Sequence, residues 1–444
     1  MSFEQTLSGW GRWPRRDCMT APLQDRPVDP AQGAAIARGL GRAYGDAAMN
    51  PDMTLMGASR DRILSFDAKT GVLVAEGGLA LADLLAVFVP RGWFVPVTPG
   101  TQFVTLGGVA AADAHGKNHH VAGSFGDHVL WLDLACADGT RRLCSPDENT
   151  DLFNATLGGM GLTGHILTVA LRLVPVTSAY MIQRTIPACS LAEAMQAFED
   201  NLDVTYSVAW IDCLAQGAAR GRSLVMLAEH AAPNDLIGAL RDNPFNLPPR
   251  QQRRMPMDAP SWALNRHSIA AFNRLYYKAG ARKTQAETVD YDRFFYPLDA
   301  IQDWNRLYGR RGFAQYQCAL PLATSYDGLL ALLDVISSAG AGSFLAVLKR
   351  FGDGAPQRLL SFPIAGYTLA LDFALSPETL TLFDRLDEIV VRHGGRLYLS
   401  KDSRMTRTTF DAGYGAAADR FRALRRDTGA ADTFRSLLSN RLAL

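Results

Sequence analysis

Two short segments of the sequence hold side chains that can exchange a proton. One is HGKNHH at residues 115–120, and the other is SKDSR at residues 400–404. An imidazole or an amine acts as a general base when its pKa lies near the working pH, and burial lowers the pKa of a lysine towards that range. Lys401 and His115 are therefore the candidate catalytic residues. An ion pair between Lys401 and Asp402 or another nearby carboxylate is the alternative for the lysine.

The three histidines of the HGKNHH segment also raise the question of a metal site. His115 and His119 are four residues apart, a spacing that places two ligands on one face of a helix. However, Gly116 stands where a zinc protease would have a glutamate, and no nearby carboxylate or cysteine completes a ligand set. We therefore expect no metal ion at this segment.

Glycine-rich segments precede and follow these side chains. In ARGLGRAYGDA at residues 37–47, successive exposed N–H groups can form a nest for a pyrophosphate, although a plain turn is the alternative. Gly107 and Gly108 open a run of small residues that leaves room for a flat ring or a phosphate. GGMGLTG at 158–164 contains a literal GxGxxG, but a helix-like segment precedes it and a strand-like segment follows. We interpret it as a tight helix-to-strand connection that borders a cofactor.

The elements that position these segments divide the chain into two regions. A chain of 444 residues exceeds a single ordinary core, so two domains are expected. Up to about residue 175, short apolar strands alternate with helices such as Leu81–Val89, which is typical of an α+β or α/β domain. Longer helical patterns follow from about Thr177, for example at 190–201 and 329–338. The proline-rich and basic segment 243–287 predicts a mobile loop, a lid or a lipid-contacting surface, and 412–444 predicts a basic helical tail.

Composition narrows the classes of protein. The formal net charge of +1 and the lack of a basic stripe argue against a nucleic-acid partner. None of the six cysteines forms a CxxC pair, which favours a reducing compartment. The N-terminus lacks an apolar region after Arg15 and Arg16, and no segment is apolar enough to span a bilayer. We expect a cytoplasmic protein without a signal peptide or transmembrane helix, with at most peripheral membrane contact.

The order of these motifs resembles the vanillyl-alcohol oxidase type of FAD-binding enzymes. Within that type it is most similar to the flavin subunits of epimerases that convert a lipid-linked ribose to arabinose. The resemblance covers nearly the whole chain. Besides the segments above it includes LSGWGR at 7–12, PGTQFVTLGG at 99–108, GSFGDHV at 123–129, AWID at 209–212, YPLD at 296–299, WNRLYG at 304–309, QYQ at 315–317, SFLAVLKRFG at 343–352, LSFPIAGY at 360–367 and GGRLYLSKDSR at 394–404.

The resemblance implies an α+β, two-domain fold of the vanillyl-alcohol oxidase type. Residues 1–178 would form the first part of an FAD-binding domain, and residues 179–395 an inserted substrate domain, or cap, on an antiparallel sheet. Residues 396–444 would return to the FAD-binding domain. Many relatives bind FAD covalently through a histidine in the first glycine loop. Arg42 occupies the matching place here, so we expect non-covalent FAD.

The resemblance also assigns residues to the cofactor. Residues of the first loop would wrap the pyrophosphate, and the others would line the flavin. They are Ala37, Arg38, Gly39, Leu40, Gly41, Arg42, Ala43, Tyr44, Gly45, Asp46, Ala47, Gly100, Thr105, Leu106, Gly107, Gly108, Ala112, Asp113, Ala114, His115, Ile166 and Tyr398.

An alcohol carbon can pass a hydride to a flavin only if a base takes the hydroxyl proton. We expect Lys401 to contact that hydroxyl and His115 to orient the substrate or the flavin. The resemblance predicts oxidation at C2 of a polyprenylphosphoryl-β-D-ribose to a 2-keto intermediate of arabinose donor synthesis. A separate NAD(P)H-dependent short-chain reductase would be the partner. Substrate contacts would come from Lys117, Trp210, Gln315, Gln317, Lys349 and Lys401, with a core role as the alternative for Trp210.

Three positions depart from this subgroup and leave the substrate open. Ala370 replaces a cysteine, Thr368 replaces an asparagine, and Ala112 replaces a larger residue beside the flavin. A second hypothesis is therefore an oxidase or dehydrogenase of another sugar, alditol or aldonolactone with the same fold. A third is a non-catalytic flavin- or lipid-carrier-binding protein, against which the presence of Lys401 and His115 argues.

Overall fold

The N-terminal region is built on two sheets. The computed structural model describes residues 2–24, 33–247, 253–260, 265–283, 285–343 and 345–444. The first sheet has the order β1-β2-β4-β3, and the second is antiparallel with the order β5-β6-β10-β8-β9. A short pair, β7 with β11, completes this region. The strands are β1 (Phe3–Ser8), β2 (Arg15–Pro22), β3 (Ile36–Arg38), β4 (Thr54–Met56), β5 (Ile63–Asp67), β6 (Val72–Glu76), β7 (Trp93–Phe94), β8 (Val129–Ala135), β9 (Arg141–Cys144), β10 (His165–Arg172) and β11 (Val174–Pro175).

Four helices accompany these strands. They are α1 (Leu81–Phe88), α2 (Leu106–Ala111), α3 (His119–Ala122) and α4 (Thr150–Thr156). The connection from α4 to β10 contains the literal GxGxxG, as the sequence predicts. Met160 has a φ of +55° there, and Gly158 and Gly161 are also left-handed, so the chain reverses tightly between helix and strand. This segment therefore does not have the strand-to-helix geometry of a dinucleotide fingerprint.

The second region is built on an eight-stranded sheet with the order β16-β12-β14-β13-β19-β20-β18-β21. All of its neighbouring pairs are antiparallel. A small parallel pair, β15 with β17, lies beside it. The strands are β12 (Tyr180–Ala188), β13 (Tyr206–Ile211), β14 (Ser223–His230), β15 (Arg253–Arg254), β16 (Glu287–Asp290), β17 (Ile301–Gln302), β18 (Phe313–Pro321), β19 (Ala346–Phe351), β20 (Gly366–Ala374) and β21 (Arg396–Leu397).

The helices of the second region and of the tail are α5 (Leu191–Glu199), α6 (Ala239–Asp242), α7 (Arg266–Gly280), α8 (Tyr291–Phe295), α9 (Leu322–Ser338), α10 (Pro377–Arg392), α11 (Arg407–Asp427), α12 (Ala430–Thr433) and α13 (Leu437–Leu442). Among the described helices, none is both long and apolar enough to cross a membrane.

The two faces of the eight-stranded sheet have different roles because side chains alternate along a strand. On β18, Ala314, Tyr316 and Cys318 point into a core shared with α5, α9 and α10. The alternate residues, Gln315 and Gln317, line a cavity on the opposite face. Both faces are covered, which explains why β18 is almost entirely buried.

The C-terminal tail packs back on the N-terminal region, as predicted. Arg425 of α11 is fully buried, and its guanidinium donates hydrogen bonds to the carbonyls of Leu162 and Phe434. Phe434 also forms a bridge with Ala35 beside β3. The tail thereby ties the end of the chain to the first glycine-rich loop.

The predicted change in sequence pattern near Thr177, from short strands to longer helices, coincides with the start of β12. At the other end, β21 still pairs with β18, so the chain leaves the eight-stranded sheet only after Leu397. The segment 243–287, predicted as a loop, contains the fifteen-residue helix α7. Positions 248–252, 261–264 and 284 of that segment lie outside the described residues.

Candidate active site

A cavity of about 320 Å³ lies where the two regions meet. That volume is within the usual range for ligand and cofactor sites. One side is built by main chain of the N-terminal region, which we call the cradle: residues 37–44 and 105–108. The opposite side is the sheet face, formed by the cavity-facing side chains of β18, β19 and β20. Lys401 and Tyr398, just after β21, line the same cavity.

The first loop of the cradle presents backbone to the cavity. Within the described residues, the N–H groups of Leu40, Gly41, Arg42 and Ala43 have no hydrogen-bond partner. Gly41 is left-handed, with a φ of +68°, which turns the chain so that successive N–H groups converge. Leu40 is exposed and the other three residues are half-buried, so these N–H groups are accessible from the cavity and suit a bound phosphate.

The second loop of the cradle contacts the first at Gly39. A Cβ at Gly39 would lie 2.3 Å from Thr105 Oγ1. Thr105 caps α2 by accepting a hydrogen bond from the Gly108 N–H, and the Gly107 N–H donates to the Gly77 carbonyl at 2.7 Å. The glycines therefore let these backbone segments approach one another, and a side chain at Gly39 or Gly107 would press on Thr105 or on the Gly77 carbonyl.

Arg42 lies at the edge of the cradle. Its guanidinium carbon is 3.9 Å from the centre of the Trp10 ring, and the Asp299 carboxylate acts on its charge from across the cavity wall. A guanidinium at this place cannot form the histidine linkage that the resemblance associates with covalent FAD, so the geometry agrees with a cofactor that is held without a covalent bond.

The sheet face places polar groups in register. Gln317 is paired with Ala370, and Lys349 is paired with Thr368. The Gln317 amide nitrogen donates to Thr368 Oγ1 at 3.2 Å and lies 2.9 Å from His115 Nε2. The predicted alternation of Gln315 and Gln317 towards one side is confirmed.

His115 connects the end of the cradle to the sheet face. Lys349 Nζ lies 3.3 Å from His115 Nδ1 and donates to the Gly116 carbonyl at 3.3 Å. The imidazole is enclosed by the rings of Phe351 and Tyr398. Burial, together with the charge of Lys349, lowers the pKa of His115 well below its usual range, so its ring is neutral at pH 7. A neutral ring held on both nitrogens is suited to orienting a ligand.

Lys401 is the other candidate base, and its surroundings include a carboxylate. Its Nζ lies 3.7 Å from the centre of the Tyr44 ring. Burial lowers the pKa of Lys401, while the charge of Asp372 on β20 raises it. The predicted alternative partner, Asp402, is instead paired with Arg441 at 2.9 Å. Lys401 is half-buried, and these opposing effects place its pKa at about 8, where it can both lose and regain a proton.

Lys117 and Trp210 are predicted substrate contacts that are not among the cavity-lining residues of the described chain. Lys117 Nζ donates to the Phe294 carbonyl and lies 4.1 Å from the centre of that ring. Burial, with the nearby charge of Lys349, lowers the pKa of Lys117 to about 7. Trp210 is 7% exposed and contacts the Tyr276 ring of α7, which favours the core role for this residue.

Four predicted cofactor residues do not line the cavity but pack behind the residues that do. Gly45 approaches the Asp402 carbonyl, where a Cβ would come within 2.0 Å, and Asp46 forms an ion pair with Arg441 at 2.8 Å. Leu106 is a fully buried core residue. Asp113 has a φ of +39° and accepts hydrogen bonds from Ser361 and the Gly126 N–H. The other predicted cofactor residues line the cavity.

Several lining residues escaped the sequence prediction. Gly77 and Gly78 follow β6 and complete the floor below the cradle, and Asp299, Val347 and Leu345 line the walls. Asp299 lies in the YPLD segment at 296–299, which was noted only as a motif. No group of three metal-ligating side chains occurs in the described part of the chain.

Comparisons with known proteins agree with this geometry. Residues 31–145 match the family model of an FAD binding domain. The chain is 35% identical to decaprenylphosphoryl-beta-D-ribose oxidase of Mycolicibacterium smegmatis over 99% of this chain and 97% of that protein. It is 38% identical to an uncharacterised protein of Streptomyces coelicolor over 82% of this chain and all of that protein. A shorter match, 30% identity over 37% of this chain and 36% of that protein, links it to L-gulonolactone oxidase of Mus musculus.

Proposed function

Because this chain belongs to the decaprenylphosphoryl-β-D-ribose oxidase family, we propose that it oxidises C2 of a polyprenylphosphoryl-β-D-ribose to the 2-keto sugar. The chain is an FAD-dependent oxidoreductase that acts on the CH–OH group of a sugar. The observation that carries the proposal is a half-buried amine, Lys401, on the same cavity as a backbone cradle with unpaired N–H groups.

The residues present fit an FAD. The N–H groups of residues 40–43 suit the pyrophosphate, and the cavity-lining Gly100, where a Cβ would meet no protein atom within 4 Å, leaves open space. His115, Ile166 and Tyr398 would border the ring system. When bound, FAD supplies the acceptor for the hydride that leaves the alcohol carbon.

The remaining chemistry belongs to the side chains. Lys401, when neutral, accepts the hydroxyl proton as the C–H bond breaks and the carbonyl forms. His115 and Gln317 hydrogen-bond to the sugar or to each other and fix its orientation. The fully buried surroundings of His115 and the neighbouring aromatic rings exclude water from the reacting atoms.

The proposed substrate class is supported by the name of a relative and by a positively charged side chain in the cavity. The Mycolicibacterium smegmatis relative is named for a decaprenylphosphoryl ribose. In this chain, Lys349 is the lining cation of the sheet face, and a phosphate beside it would favour its charged form. We assign the phosphate contact to Lys349 and give Lys117 a supporting role behind it.

The chemistry of the product implies a partner. A 2-keto sugar has lost the configuration at C2, so a net change from ribose to arabinose needs a second enzyme that returns a hydride to the other face. We propose a separate NAD(P)H-dependent short-chain reductase for that step. An oxidase of another sugar or aldonolactone is less well supported, because the match to L-gulonolactone oxidase covers 37% of this chain.

Anaerobic mixing with polyprenylphosphoryl ribose tests the proposal. The absorbance of the bound flavin should fall with the wild-type protein. Lys401→Met should retain FAD but slow this reduction by about 10²–10⁴-fold, the usual contribution of a general base. Lys278→Met, at an exposed lysine, is the matched control and should not change the rate. Reduction by an aldonolactone but not by the lipid-linked ribose would instead support the alternative substrate.

A further inference from the structure

Asp372 is a fully buried carboxylate that the role of Lys401 as a base does not by itself explain. It lies on β20, in register with Gln315 of β18, and on the same strand face as Ala370 and Thr368, which line the cavity. The Gln315 amide donates to Asp372 Oδ1. Within the described residues, Asp372 Oδ2 has no hydrogen-bond partner. A buried carboxylate with one unsatisfied oxygen is costly, so this position is expected to have a purpose.

Lys401 is the cation that acts on this carboxylate. Burial raises the pKa of Asp372, while the Gln315 hydrogen bond and the charge of Lys401 lower it. In return, the charge of Asp372 opposes the effect of burial on Lys401. The two groups therefore favour each other's charged form in a pocket that disfavours both charges.

Other titratable side chains also surround Lys401 and Asp372. Lys401 faces the Tyr44 ring, and its charge also acts on Lys349 and His115. Burial and the charge of Asp372 raise the pKa of Tyr44 and Tyr308, so both phenols remain neutral. Asp372 is thus the carboxylate whose charge acts on Lys401, whereas Asp299, a carboxylate on the cavity wall, acts on Arg42.

Lysine is rare in this chain, which makes the lysines at this site informative. Of the 45 lysine and arginine residues, only six are lysines, and three of those, Lys117, Lys349 and Lys401, lie half-buried around this site. Arginine keeps its proton, whereas a lysine can release it when buried. A site in which a carboxylate acts on one of several amines can charge that amine selectively.

We propose that Asp372 is a positioning residue that stabilises the ammonium of Lys401 after this lysine takes the substrate's hydroxyl proton. The inference rests on the proposed role of Lys401 as the base. In that step the O–H bond breaks, its proton joins the Lys401 lone pair, and the C–H electron pair leaves with the hydride to the bound FAD. The Asp372 carboxylate balances the positive charge that appears on Lys401, so the proton stays on Lys401 and does not pass to Lys349.

Asp372→Asn removes the charge and keeps the shape. We expect the acid limb of the pH profile of anaerobic flavin reduction to move to lower pH by at least one unit, because an adjacent opposite charge shifts a pKa by about 1–3 units. The limiting rate should fall about 10-fold or more, because the amine becomes a weaker base. Asp372→Glu should restore the position of the limb. Asp212→Asn is the control: Asp212 is also a buried carboxylate of this sheet, but it pairs with Arg222 at 2.7 Å, and the limb should not move.

A second measurement needs no substitution at Asp372. With lysine labelled with ¹³C at Cε, the holoenzyme gives six lysine signals, and Lys401→Met and Lys349→Met assign the two of interest. Lys401 should titrate at a higher pH than Lys349, because burial and the Lys401 charge both lower the pKa of Lys349, to about 7, whereas Asp372 opposes burial at Lys401. A Lys349 that titrates at the same pH or higher would overturn the inference.

The outcomes separate this inference from the proposed function. If Lys401→Met still allows reduction at the normal rate, the proposed base is wrong. If Lys401→Met is inactive but Asp372→Asn, with full flavin content, keeps the wild-type acid limb, only the role of Asp372 is wrong. Should Asp372→Asn fail to retain FAD, the order of the two lysine titrations in the wild-type protein decides.

Discussion

The two sides of the cavity are built in different ways. The cradle presents main chain: unpaired N–H groups at residues 40–43 and glycines that leave no side chain in the way. The sheet face presents side chains, among them Gln317, Lys349 and Thr368, from adjacent strands. Main chain binds a constant group such as a pyrophosphate without regard to residue type, provided that no Cβ intrudes. Side chains set the reaction and the substrate, and each can be exchanged alone.

The charges of the two sides differ as well. The cations at the cradle are arginines, and Arg38 is fixed by donating to the Ser8 carbonyl at 2.7 Å. The cations on the opposite side, Lys349 of the sheet face and Lys401 just after β21, are half-buried lysines. Arginine supplies permanent positive charge, whereas a buried lysine changes its charge during a reaction. This difference predicts that substitutions on the cradle alter cofactor content and fold, and that substitutions on the sheet face alter catalysis and pH dependence.

Gly45→Ala should have the largest effect, because Gly45 joins the cradle to the segment of Lys401. A Cβ there would lie 2.0 Å from the Asp402 carbonyl, and backbone cannot move aside cheaply. Overpacking of this kind costs about 1–3 kcal/mol or more in the free energy of unfolding. We expect a lower Tm together with loss of most bound FAD, measured by calorimetry and by flavin released on acid precipitation.

Gly100→Ala separates an effect on FAD binding from an effect on protein stability. At this cavity-lining glycine a Cβ meets no protein atom within 4 Å. The Tm of the FAD-free protein should therefore be unchanged while FAD content falls. Wild-type FAD content in both glycine variants would contradict a cradle made of main chain.

The difference between the two sides also explains how far the sequence predicted the site. Residues 37–44, Gly107 and Gly108 were found because glycine spacing is a direct signal of backbone recognition. Asp372 was missed, although a lone carboxylate inside the apolar strand GYTLALDFA was a signal in its own right. Trp210 was predicted as a substrate contact with a core role as the alternative, and it packs on Tyr276 of α7 rather than lining the cavity. The helix α7 was hidden by flanking prolines and basic residues.

Lys349→Met tests how the charge of this sheet-face lysine affects the free energy of unfolding. Burial and the charge of Lys401 lower the pKa of Lys349 in the folded protein to about 7, below the unfolded value of about 10.4. The unfolded state therefore binds more protons between these pH values, so the wild-type free energy of unfolding should rise as pH increases from about 7 towards 10. Lys349→Met should remove its share of that rise and be more stable at pH 6, on the order of 2–4 kcal/mol.

Denaturant unfolding at pH 6 and pH 9 measures this effect. Lys278→Met, at an exposed lysine, should leave both values within error of the wild type. Lys349→Met should also lose activity towards a phosphorylated substrate, a cost that explains why a destabilising amine is present. A variant less stable than wild type at pH 6 would mean that the Lys349 hydrogen bonds outweigh the burial of its charge.

The smallest effect is expected from a pair of alanines that line opposite sides of the cavity. Ala43 belongs to the cradle and Ala370 to the sheet face, between Gln317 and Val347 in register. Valine at either position adds two methyl groups to the cavity. Ala370→Val suits a strand and should keep full FAD content, but it should lower kcat/KM for the sugar roughly 10-fold, as expected for a misfit of this size. Ala43→Val should instead lower FAD content, while the FAD-bound fraction keeps its kcat/KM. If both variants lost FAD equally, cofactor and substrate would share the sheet face, and the division of the cavity into a backbone side and a side-chain side would fail.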